Sequence, residues 1–116
     1  MQALLLFNFI VPFVMVLVGF LLKKHPVSDM SRQNGYNTPV SRRSQAHWDY
    51  AQSIAPDIYI SLGKYLFIIE IIISAIMLIL KVPVGISVAA GMTISLIFLI
   101  YSFYYTDKQI KEKFAD

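Results

Sequence analysis

Three long apolar stretches, residues 3–22, 59–80 and 82–105, are separated by one polar segment and one short turn around Lys81. At about 1.5 Å rise per residue, each is long enough to cross a ~30 Å hydrocarbon core as an α-helix. The pattern predicts an all-α integral membrane protein with three transmembrane helices. The first and third stretches carry no charge, and the second carries only Lys64 and Glu70. Residues 23–58 form a polar connector and residues 106–116 a polar tail, so the chain reads as a single membrane domain of 116 residues.

Local signals subdivide the connector. Pro26 stops the first helix, Asn34-Gly35 is a turn signal, and Thr38-Pro39 is expected to be extended. Ser41 can cap a helix that continues through Gln45 to Tyr50 and ends at Pro56. In such a helix Ser44, Trp48 and Ala51 share one face, while Arg42, Arg43 and Asp49 point to water or headgroups, as in an interfacial helix. The tail is expected to continue the third span as an exposed helix, with Lys108 and Glu112 paired four residues apart.

Composition agrees with a bilayer as solvent. The chain is 57% hydrophobic and 15% charged, with a mean hydropathy of +0.62, too apolar for an ordinary soluble domain of this size. No Lys or Arg precedes the first span and no small-x-small cleavage site follows it, so it is expected to be a retained anchor rather than a signal peptide. Lys23, Lys24, Arg32, Arg42 and Arg43 lie on the connector, and Lys108, Lys111 and Lys113 on the tail, against Lys81 alone at the turn. The positive-inside rule then puts connector and tail in the cytoplasm, and the N-terminus and the turn outside. Lys64 can snorkel to the cytoplasmic interface. Tyr101, Phe103, Tyr104 and Tyr105, with Trp48, Tyr50 and Tyr59, suit an aromatic belt at the same level. The net charge of +3 is accordingly directed at anionic headgroups. Nucleic acid is not an expected partner, because no nucleic-acid motif accompanies the basic residues.

Polar and small residues form one stripe on each span. These are Asn8, Pro12 and Gly19 on the first, Gly63, Glu70 and Ser74 on the second, and Ser87, Gly91 and Ser95 on the third, continued by Ser102. Such stripes serve close helix packing, within the chain or in a homodimer. A sharper alternative has all of them facing one another around Glu70. A lipid-facing carboxylate in mid-span costs several kcal/mol, so Glu70 should face protein or a water-filled cavity. Antiparallel registration about the Lys81 turn places it level with Gly91 to Ser95, with Ser95 and Ser74 as hydrogen-bond partners. No basic residue is in obvious reach, so a neutral carboxyl is the expected form, either structural or functional.

Enzyme chemistry has little support. There is no cysteine, His25 and His47 lack further ligands at metal spacing, and no nucleophile frame surrounds any serine. No metal or cofactor is expected.

The connector carries a more specific pattern: Gly35-Tyr36-Asn37-Thr38, then Ser41-Arg42-Arg43-Ser44, then Trp48-Asp49-Tyr50-Ala51 ahead of a span. This resembles the SdpI family of small bacterial membrane proteins, in which the connector reads Gly-(Tyr/Ile)-Arg-Thr, a Ser- or Lys-rich run, and Trp-x-x-Ala. Gly35, Tyr36, Thr38, Ser41, Trp48 and Ala51 match that spacing. Asn37 stands where the family has arginine, and Arg42 or Arg43 is the candidate substitute. Larger members carry further upstream spans, so this chain looks like the short form. The resemblance implies a multi-pass protein of the bacterial cytoplasmic membrane that protects against a membrane-active toxin. It also implies a signalling role through a cytosolic regulator held at the membrane. A toxin would be met in the bilayer or at the Val82–Gly85 turn, and a regulator at the cytoplasmic face. Two other classes fit part of the pattern: a small proton-coupled carrier using Glu70, although such carriers have four spans, and a holin-like pore former, which would not need a long patterned connector.

Overall fold

A 3₁₀ segment, Gln2–Phe9, leads directly into helix α1 (Ile10–Lys24), followed by α2 (Gln45–Ile79) and α3 (Val84–Phe114). The computed structural model describes residues 2–27 and 35–114. Arg32, Asn34 and the first half of the expected Asn34-Gly35 turn lie outside the described residues. Leu4–Lys24, Gln45–Ile79 and Val84–Phe114 are each long and apolar enough to cross a membrane.

Each helix begins and ends for a local reason. Pro12 falls just after the 3₁₀ segment passes into α1, and its fixed φ suits a helix of either kind. The helix closes with the His25 N–H on the Leu21 carbonyl at 2.9 Å, just before Pro26. At the far end of α2, Lys81 takes a left-handed φ of 56°. Its N–H bonds Leu78 O at 3.1 Å, and the Val82 N–H reaches back to Met77 O at 2.9 Å. This is a Schellman closure with lysine where glycine is usual. Pro83 follows, and its carbonyl accepts the Ile86 and Ser87 amides to start α3.

Two expectations about α2 are corrected. Ser44, not Ser41, is the N-cap, accepting the His47 N–H at 3.1 Å. The helix does not end at Pro56 but runs unbroken into the second apolar stretch, so the connector helix and the span are one element. Proline fits helical φ and forfeits one backbone bond, a cost of ~3 kcal/mol in isolation. Packing offsets it, because one buried face continues through Trp48, Ala51, Ala55, Pro56, Gly63, Leu66, Glu70 and Ser74. At ~1.5 Å per residue, the 35 residues of α2 span about 52 Å, well beyond a ~30 Å hydrocarbon core. One end of the helix must therefore stand clear of the apolar layer.

The bundle is polar inside and apolar outside. Asn8, Glu70, Ser95, Ser102 and Thr106 are fully buried, while Phe13, Ile68, Ile79, Ile97 and Ile100 are exposed. That inversion belongs to a lipid-facing surface. Glycines set the closest approaches. A Cβ on Gly19 would lie 2.8 Å from the Pro56 carbonyl, and one on Gly63 would lie 2.7 Å from Val16 Cγ2, so α1 and α2 meet backbone to backbone. On α3, Gly91 gives its side-chain space to the Asn8 amide. The tail is not simply exposed: Thr106 and Ile110 are fully buried on the continuation of α3.

Candidate functional site

From Gly35 onward, the described part of the connector packs as a cap over one end of the bundle, against Phe103, Asp107 and Ile110 of α3. Gly35 opens it with a φ of +83°, a left-handed conformation that favours glycine. The Gln52 carboxamide, on the buried face of α2, then pairs with Tyr36 as a backbone would. Its Oε1 accepts the Tyr36 N–H at 2.9 Å and its Nε2 donates to the Tyr36 carbonyl at 2.7 Å. Ser41 knots the turn that follows, accepting the Thr38 N–H at 2.8 Å while lying 2.9 Å from the Thr38 carbonyl. Trp48, fully buried, donates from Nε1 to the Val27 carbonyl at 2.9 Å and so fastens the end of the segment that leaves α1.

Asp107 of α3 anchors the cap from the other side. Its Oδ1 accepts from Tyr36 Oη and from Thr38 Oγ1, both at 2.8 Å. Burial first, then the Asp107 hydrogen bond and negative charge, hold the Tyr36 phenol above the ordinary tyrosine range. The Tyr36 ring packs on Phe103 and Tyr59 at centroid distances of 5.8 and 6.1 Å. Tyr36, Val40, Ala51, Ala55 and Ile110 form a small hydrophobic core beneath. At the end of α3, Phe114 stacks on His47 at 4.1 Å. The Ser44 hydroxyl, 2.6 Å from His47 Nδ1, is engaged as the N-cap of α2.

A second polar cluster lies deeper, where the three stripes meet. Glu70 is fully buried, and its Oε2 accepts the Ser95 hydroxyl at 2.7 Å. Asn8, also fully buried, donates from Nδ2 to the Ser87 carbonyl at 3.3 Å and lies against Gly91. Ser74, expected as a second partner of Glu70, is buried on the same face of α2 but makes no hydrogen bond to it.

A model of the SdpI/YfhL protein family matches residues 29–102, well over half of the chain. The chain belongs to that family. No curated protein and no solved structure matches it.

In this SdpI/YfhL member, most of the connector residues that carry the family pattern are buried. Tyr36, Ser41, Trp48 and Ala51 are buried, whereas Asn37, Pro39 and Arg43 are exposed. Arg42, half-buried, stands 5.6 Å over the Trp48 ring with Nη1 3.4 Å from Asn37 Oδ1. A guanidinium is thus present beside the position where the family has its arginine, supplied from five residues along the chain. Ser87, Gly91 and Ser95 face the interior of the monomer, toward Asn8 and Glu70.

Sequence reasoning passed over Gln52, Asp107 and the partner role of Asn8. Gln52 falls one residue beyond the Trp-x-x-Ala pattern, and a buried-face position at helical spacing from Trp48 was the available signal. Asp107 read as the start of a solvated tail. Nothing local distinguishes it, because both its partners arrive from about seventy residues away.

Proposed function

We propose that the protein is an SdpI-like immunity protein of a bacterial cytoplasmic membrane, protecting the cell against a membrane-active peptide toxin. The observation that carries this is the family match, together with the folding of the family-pattern residues into one hydrogen-bonded cap clamped to α3 through Asp107. A pattern spent on such a cap preserves a defined surface. The surface it presents, with Asn37, Arg42 and Arg43, suits anionic headgroups or a cytosolic regulatory protein. In this proposal the cap and the C-terminus are cytoplasmic, as the Lys and Arg bias requires, and the N-terminus and the Val82–Gly85 hairpin are outside, where a toxin is met. The protein performs no enzymatic reaction in this role.

The test is expression in a toxin-sensitive host, scored together for toxin survival, drug resistance and lysis. Survival alone is expected to rise, and Trp48→Ala should abolish it while the protein stays in the membrane fraction. Drug resistance would identify a carrier and lysis a pore former, and either without toxin survival overturns the proposal. Orientation is checked by single cysteines: one at Gly85 should label with an impermeant reagent in intact cells, and one at Lys111 should not.

A further inference from the structure

Two hollows between α2 and α3 run into one groove on the outside of the bundle. The deeper, about 530 Å³, is walled by Leu62, Tyr65 and Ile69 of α2 and Ile97, Phe98 and Tyr101 of α3. The second, about 380 Å³, shares Leu62 and Tyr101 with it and adds Asp57, Ile58, Ser61 and Tyr105. Both volumes fall within the roughly 300–1,000 Å³ usual for small-molecule sites. From Ile69 to Asp57 the groove follows α2 for about 18 Å, at ~1.5 Å per residue. Ile69 and Ile97 lie well inside the apolar stretches 59–80 and 82–105, whereas Asp57 and Tyr105 lie at their ends. The groove therefore runs from hydrocarbon depth to headgroup level.

Its two ends differ in chemistry. Among the described residues, Asp57 is the only charged one lining either hollow, and no Lys or Arg does so. Beside it stand the Ser61 hydroxyl and the phenols of Tyr101 and Tyr105, whose rings lie 5.8 Å apart. A carboxylate and aromatic rings around one hollow attract an organic ammonium, by charge and by the ring quadrupole. The same carboxylate repels an anionic head. Lys23 holds Asp57 at 2.8 Å, but the two side chains are 61% and 63% exposed, and so open a pair is screened and exchanges readily. The pair also sets a positive charge next to the negative one, the arrangement that a zwitterionic headgroup meets with its phosphate and its ammonium.

We infer that this groove holds a membrane phospholipid whose headgroup ends in an ammonium, with an acyl chain along Leu62, Ile69, Ile97 and Phe98 and the ammonium at Asp57, Tyr101 and Tyr105. At the depth of the apolar half, the available occupants are hydrocarbon chains or another helix. A second copy docked about a two-fold axis along the membrane normal would bring its own Asp57 to the same level, like charge against like. An anionic headgroup would meet a carboxylate and no cation in the lining.

The purified full chain is stripped of lipid and equilibrated with phosphatidylethanolamine, phosphatidylcholine and phosphatidylglycerol of identical chains, and bound lipid is counted by native mass spectrometry. The two ammonium lipids are expected to be held about five- to tenfold more tightly than phosphatidylglycerol. Asp57→Asn should bring the three to near parity. Lys23→Gln breaks the same ion pair but keeps the carboxylate, so the ammonium preference should survive; its loss there as well would assign the effect to the ion pair and overturn the inference. Ile97→Trp, at an exposed position that the fold tolerates, should fill the groove and lower retention of all three. Phosphatidylglycerol held as tightly as the ammonium lipids, an undiminished preference in Asp57→Asn, or unchanged retention in Ile97→Trp overturns the inference. Dimers that appear as lipid is removed and are lost in Ile97→Trp would make a second copy the occupant and overturn it too.

Discussion

The clamp between the connector and α3 is expected to show as a coupling energy between Tyr36 and Asp107. Tyr36→Phe removes the phenolic donor, Asp107→Asn removes the charge from the acceptor, and the double variant removes both. A hydrogen bond to a charged group contributes roughly 1.5–3 kcal/mol net. Asp107 is only half-buried, so screening favours the low end, about 1.5 kcal/mol. Because Thr38 still donates to Asp107 in Tyr36→Phe, each single variant loosens the cap without unfolding the spans. The assay is hydrogen exchange at the Tyr36, Thr38 and Ser41 amides, which should quicken about tenfold for ~1.4 kcal/mol of lost protection. The double variant should be no worse than the poorer single, giving a coupling of about 1.5 kcal/mol. Effects that simply add would refute the clamp and reduce the 2.8 Å contact to an incidental one. A pH dependence follows with a definite sign. The folded phenol titrates above its unfolded value, so its contribution is fully present below pH ~10 and is lost as pH rises beyond it. Cap protection should therefore fall in alkaline buffer, and Tyr36→Phe should show a smaller fall.

Two substitutions test the packing of the spans. Gly91→Leu must expel the Asn8 amide and should destabilise the bundle by about 1–3 kcal/mol or more, whereas Thr93→Leu, exposed on the same helix, should stay within about 0.5 kcal/mol. Equal melting temperatures for the two in detergent would show that Gly91 is not a contact. Lys81→Gly relieves a left-handed φ of 56° and should stabilise the hairpin by about 0.5–1 kcal/mol. A lowered melting temperature would mean that the lysine side chain contributes more than its backbone strain costs.

The sequence by itself determined the parts of this protein that depend on short-range rules. Span number and approximate limits follow from apolar run length, because a backbone in hydrocarbon must satisfy its own hydrogen bonds and a helix of about 20 residues is the smallest way to do so. The interior stripe was legible for the same reason: a buried carboxylate, serines and glycines at helical spacing have few tolerable places in lipid. Antiparallel register about Lys81 was enough to place Glu70 beside Ser95. Tertiary structure decided what depends on partners distant in the chain. Pro56 is a helix stop by local preference, yet α2 passes through it because its buried face continues on both sides against α1. Ser41 has the chemistry of an N-cap and was displaced by Ser44, since its hydroxyl closes the turn at Thr38 instead. In the patterned connector, Tyr36 turned inward because Gln52 and Asp107 offered its polar atoms the partners that burial requires, and Trp48 did so because the Val27 carbonyl took its indole N–H. Gln52 and Asp107 lie outside the pattern, and only the fold of the chain brings them to it.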